Sequence, residues 1–157
     1  MFIPDVTPIP VINSHAAYGK PLHQLLSSLV SVGFTDFCRV VVVIGGSVRD
    51  EPPQRRDNIV IVRSVLNAHD YTGLSALYMY REHPMMAAPM YIYMHDTCLT
   101  HPRFVAYFNE SMRLLGGGML HTNEMGHSNV FALSRRHARG VSAAGHRNTR
   151  EKRLGQR

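Results

Sequence analysis

The stretch Arg39–Ser47, "RVVVVIGGS", decides how the rest of the chain is read. Val40 to Ile44 is a continuous β-branched run, the pattern of a strand covered on both faces. Residues 59–62, "IVIV", read as a second strand of the same kind, with "SVRDEPPQRRDN" as the loop between them. Toward the N-terminus, Ile9 to Ile12, interrupted by Pro10, is a short strand candidate followed by the polar turn Asn13-Ser14-His15. Toward the C-terminus, Met90 to Met94 in "MYIYMHDTCL" is a fourth strand, which ends on His95-Asp96-Thr97 with no Gly or Pro between. A carboxylate at the end of a core strand is costly unless it is solvated, hydrogen-bonded or bound to a cation.

Helical patterns fill the gaps. In "KPLHQLLSSLVSVG", Leu22, Leu25, Leu26, Leu29 and Val32 recur at helical spacing; Pro21 suits the first helical position and Gly33 the stop. "YTGLSALYMYREH" places Leu74, Leu77 and Tyr78 on one face, with Asp70 or Thr72 as cap. "THPRFVAYFNESMRLLGGG" carries the stripe Val105, Phe108, Met112 and Leu115, with Thr100 or Asp96 as cap and three glycines as terminator. Apolar strands alternating with amphipathic helices indicate an α/β fold, a mainly parallel sheet flanked by helices. Ligands of such sheets bind beyond the carboxyl ends of the strands. Asn13-Ser14-His15, Gly45-Gly46-Ser47 and His95-Asp96-Thr97 are therefore expected to converge on one edge.

The order "VINSHAAYGKPLHQLLSSL", "VVVVIGGS", "NIVIVRSVLNAHDYTGLSALYMY", "YIYMHDTCL" resembles the nucleotide-sugar-binding portion of a GT-A fold glycosyltransferase over about residues 9–110. The resemblance implies a truncated GT-A-like fold that binds a nucleoside-diphosphate sugar and transfers the sugar to a glycan or other hydroxyl acceptor. The alternative is a catalytically incomplete nucleotide-binding or interaction domain of the same fold. By the same resemblance, Ser14 and His15 face the base or ribose, Gly46 lies at the second strand's end, and Asp70, Thr72 and Gly73 meet the nucleotide. Asp96, with His95, is expected to hold a divalent cation, Mn or Mg, against the diphosphate; hard oxygen ligands suit either ion. The short acidic motif here has a single carboxylate: if Asp96 is its first acid, Cys98 stands where the second would be, and if Asp96 is its middle residue, His95 and Thr97 flank it. Glu124, the only acid between Glu110 and the tail, is the candidate base toward the acceptor, in a loop before a strand over 129–133.

Composition narrows the alternatives. At 157 residues the chain is expected to hold one domain, residues 1–134, and a basic tail, residues 135–157. The net charge of +6 belongs to that tail, which holds seven Arg and one Lys against one Glu; the body is near neutral, so nucleic acid is not the expected partner. The tail's shortage of large apolar residues predicts disorder. Cys38 and Cys98 form no disulfide framework or zinc spacing, and the ten histidines have no zinc-site context. No apolar run spans a bilayer, and the N-terminus lacks the features of a signal peptide, which predicts a cytoplasmic protein. Dinucleotide, P-loop and G-x-S-x-G signatures are missing from the sequence.

Overall fold

The computed structural model describes residues 8–115 and 130–134. In chain order the elements are β1 (Ile9–His15), α1 (Gly19–Ser31), a 3₁₀ turn (Phe34–Asp36), β2 (Val40–Gly45), β3 (Glu51–Arg56), β4 (Ile59–Arg63), α2 (Asp70–Met79), β5 (Met90–His95), α3 (Phe104–Leu115) and β6 (Val130–Ser134). One sheet runs β3-β4-β2-β1-β5-β6. Its four central strands are parallel, and β3 and β6 pair antiparallel at the two edges. This is an α/β fold with a mainly parallel sheet, as the valine run requires.

The period of two along β2 divides the core. Val40, Val42 and Ile44 pack with Leu25 and Leu29 of α1 and Phe108 of α3. Val41 and Val43 pack with Ala76 and Leu77 of α2 and with Tyr91 and Tyr93 of β5. Each buried side chain of this size contributes about 1.5–3 kcal/mol relative to leaving it in water. Phe34 closes the first layer, edge-on to Phe104 at 5.1 Å and to Phe108 at 4.8 Å. The stop of α1 is the expected glycine: Gly33 has φ 69°, and its N–H donates to Val30 O at 2.9 Å.

Several local expectations are corrected. The segment read as a loop contains β3, joined to β4 by the two-residue turn Asp57-Asn58, with Asp57 at φ 53°. Pro52 and Pro53 fall where the register shifts between Glu51 and Gln54, on an edge strand where a missing N–H is tolerated. β4 differs from β2, because Ile59 and Ile61 are only half-buried. β1 continues through the expected turn to His15, and its pairing with β2 starts at Val11, after Pro10. In α2 the buried face is Gly73, Ala76 and Leu77; Tyr78 is exposed, with the Arg81 guanidinium over its ring at 4.4 Å. α3 starts beyond Thr100 and Asp96, so neither caps it. Instead the His101 Nδ1 accepts the Arg103 N–H at 3.1 Å and the His101 carbonyl accepts the Phe104 N–H at 2.8 Å. Among the described residues no helix is long and apolar enough to cross a membrane.

Candidate functional site

β2, β1 and β5 are adjacent, parallel and end at the same edge, with Ser14 opposite Ile44 and Asn13 opposite His95. Strand order reverses at β1: β2 and β4 follow on one side and β5 on the other, which makes the β1–β5 boundary the topological switch point. A cavity of about 210 Å³ opens there. It is lined by Asn13, Ser14, His15 and Tyr18, by Gly45, by Asn67, His69, Asp70 and Thr72, and by His95 and Asp96. The expected convergence of strand ends is therefore observed.

Asp96 lies one residue past β5, where its N–H still donates to Asn13 O at 3.2 Å. Only 6% of the residue is exposed, and the Ser14 hydroxyl donates to its Oδ2 at 2.6 Å. Charge-assisted bonds of this kind are short and strong, and they offset part of the cost of burying the carboxylate. Among the described residues its Oδ1 has no hydrogen-bond partner.

Asn13 ties β1 to the start of α2. Its Nδ2 donates to His69 O at 3.1 Å, and its Oδ1 accepts the Gly73 N–H at 3.0 Å. The Tyr71 N–H donates to Ala68 O and the Thr72 N–H to His69 O, so the Tyr71, Thr72 and Gly73 amides are engaged within the protein. Thr72, buried, accepts the Ala68 N–H on Oγ1 at 3.0 Å. His69, before the helix, has φ 48° and ψ −122°. A non-glycine residue held in so sparsely populated a region costs about 1–3 kcal/mol.

Two candidate glycines sit behind the cavity wall, outside its lining. At Gly73 an added Cβ would meet the Tyr93 hydroxyl at 2.6 Å, so the close approach there is to a tyrosine ring of β5. Gly46, with φ 65°, lies against His15: an added Cβ would come within 2.1 Å of its Nε2. The His15 Nδ1 accepts the Ala17 N–H at 3.1 Å, which leaves the neutral ring with its proton on Nε2. Ser14, His15, Asp70, Thr72, His95 and Asp96 are brought together. Glu124 and the tail lie outside the described residues.

His95 and Asp70 face each other less tightly. The His95 Nε2 is 3.5 Å from the Asp70 Oδ1, beyond good hydrogen-bond length, with side chains 20% and 70% exposed. Beneath them the Tyr93 hydroxyl donates to Asp70 O. Burial raises that phenol well above the ordinary tyrosine range, and the Asp70 charge pushes the same way. Burial also raises the Cys98 thiol, and pushes Cys38 up to about 12 with Arg39 opposing. A thiol held protonated is a poor ligand for a hard cation, so Cys98 does not stand in for a second acid.

Among the described residues no group of three or more His, Cys, Asp or Glu side chains is arranged to hold a metal ion. Asp96 fits a different arrangement, in which Mg is bound through one or two carboxylates and the substrate's own phosphates. Asp96 lines the cavity and its Oδ1 has no partner among the described residues, which suits that role better than His95, whose Nε2 is turned toward Asp70.

Sequence reasoning placed Ser14 and Asp96 at strand ends but gave Asn13 only a place in a turn, and it passed over Asn67 and His69. No protein-family model matches the chain, and no curated protein matches it. Among solved structures the chain is similar to one described as the crystal structure of Rv0371c from Mycobacterium tuberculosis H37Rv, at 17% identity and a TM-score of 0.45, covering 83% of this chain and 73% of that one.

Proposed function

We propose that the cavity binds a nucleoside-diphosphate sugar and that the chain is a glycosyltransferase-like domain, transferring the sugar to a glycan or other hydroxyl acceptor. The observation that carries this reading is the buried Ser14–Asp96 pair at the switch point, an acid placed where such sheets bind ligands and kept there by a hydroxyl. In this reading Asp96 holds a Mn or Mg ion with the diphosphate. When bound, that ion neutralises the charge that develops on the leaving diphosphate. Ser14 orients the Asp96 carboxylate through Oδ2 and leaves Oδ1 for the cation. His15 and Tyr18, beside β1, offer ring surface to the base or ribose. Glu124 is the proposed base toward the acceptor. The single carboxylate of the motif His95-Asp96-Thr97 favours a second reading, in which the domain binds nucleotide without transfer.

Isothermal titration with UDP and GDP, with Mn and with chelator, tests binding. Asp96→Asn keeps the size and an acceptor for Ser14 but removes the charge. Nucleotide binding in Mn is expected to fall by about 100-fold or more while the unfolding midpoint stays close to wild type. Equal binding by wild type and Asp96→Asn in Mn overturns the metal role. Release of free sugar or UDP in the presence of acceptors separates transfer from binding alone.

A further inference from the structure

We infer that the His69 imidazole binds the phosphates of the cavity's ligand; the nucleotide reading above enters only in naming that ligand a nucleoside diphosphate. His69 is the second residue of the turn Ala68–Tyr71, closed by the Tyr71 N–H to Ala68 O bond at 3.0 Å. Its φ of 48° and ψ of −122° are those of a type II′ turn, a position that glycine dominates. The fold requires this backbone shape, because the His69 carbonyl receives both the Asn13 Nδ2–H at 3.1 Å and the Thr72 N–H at 3.1 Å. It does not require the side chain. Among the described residues the imidazole makes no hydrogen bond, ion pair or ring contact; His69 is exposed and is one of the residues lining the cavity. Glycine would make the same turn without strain, so the fold gains nothing from a ring that meets only solvent and the cavity.

The chemistry of the lining limits which groups can meet a phosphate. No Lys or Arg is among the residues lining this cavity, so the groups there that can meet an anion with a ring N–H are imidazoles. His15 is engaged through Nδ1 with its Nε2 against Gly46, and His95 is turned toward Asp70. His69 alone of the three has both ring nitrogens without a partner among the described residues, and a ring N–H suits a phosphate oxygen.

The test titrates wild type, His69→Ala and His69→Gly, each as the full chain in Mg, with inorganic pyrophosphate and separately with UDP and GDP, and follows thermal unfolding of each. Both variants are expected to bind pyrophosphate about tenfold or more weaker than wild type. His69→Gly is expected to unfold about 2–8 °C higher, because the turn is relieved. Either variant binding pyrophosphate as wild type does overturns the inference, and so does a wild type that binds neither pyrophosphate nor nucleotide. A wild type that binds pyrophosphate through His69 but nucleotides no more tightly supports the inference and sinks the nucleotide reading. Variants that keep full UDP or GDP affinity do the reverse.

Discussion

Asp96 and Asp70 line the same cavity, and each has one polar side chain beside it, yet they are held in opposite ways. Asp96 is buried and takes a 2.6 Å bond from Ser14 on the neighbouring strand. Asp70 is mostly in water, on the first turn of α2, with His95 at 3.5 Å. In water an ion pair at that distance is screened and contributes about 0–1 kcal/mol. In the interior a carboxylate without its partner bears its whole desolvation cost. The two acids thus differ in how much the fold depends on each. The fold must satisfy Asp96 and is indifferent to Asp70.

The sharpest way to break this comparison is to cut what holds both acids in one place. Asn13 precedes Ser14 on β1 and bonds both His69 O and the Gly73 N–H, on either side of Asp70. Asn13→Ala orphans the Gly73 amide and takes one of two donors from the His69 carbonyl, and is expected to lower stability by about 2–4 kcal/mol in urea denaturation. Asn13→Asp keeps the acceptor for Gly73 and loses the donor to His69. A loss under about 1 kcal/mol for Asn13→Ala would mean that α2 is held to β1 by packing alone.

The contrast also explains what the sequence makes legible. β2 is readable because five consecutive apolar residues leave no other place for the strand than a covered sheet. Its register with β1 and β5 then puts Ser14 and Asp96 on one edge, so these two candidates follow from strand ends. β3 is hidden because its two prolines read as a loop, and only the bulge on an exposed edge accommodates them. Asn13 is hidden for a different reason: its partners are 56 and 60 residues away, so no local pattern marks it. His69 carries no signal, since a positive φ on a histidine has no residue signature. The glycines mislead in the opposite direction. Gly73 and Gly46 announce a close approach, but the sequence does not say that what approaches is Tyr93 or His15.

Ser14 tests the buried half of the comparison directly. Ser14→Ala removes the hydroxyl and leaves the Asp96 Oδ2 in the interior with no donor among the described residues. The expected loss is about 2 kcal/mol, in the range for hydrogen bonds to charged groups. A double-mutant cycle with Asp96→Asn is expected to give a coupling of about 1 kcal/mol or more. A coupling near zero would assign Ser14 a packing role instead.

The exposed half is tested by Asp70→Asn, where the smallest effect is expected. The side chain is 70% exposed and its Oδ1 is 3.5 Å from the His95 Nε2, so its charge is solvated whether or not the imidazole is protonated. Stability is expected to change by less than about 0.5 kcal/mol, as at other surface positions free of special contacts. The Tyr93 hydrogen bond is kept, because it goes to the Asp70 carbonyl, which the substitution leaves in place. His95→Gln is expected to be nearly as quiet, its larger change being the loss of the ring edge against Tyr93, whose centroid lies 5.9 Å away. A double-mutant cycle over Asp70→Asn and His95→Gln should give a coupling within about 0.5 kcal/mol of zero. A coupling above about 1 kcal/mol would show that the two side chains are paired despite their exposure. The division between an acid held by the fold and an acid free for solvent and ligand would then fail at Asp70.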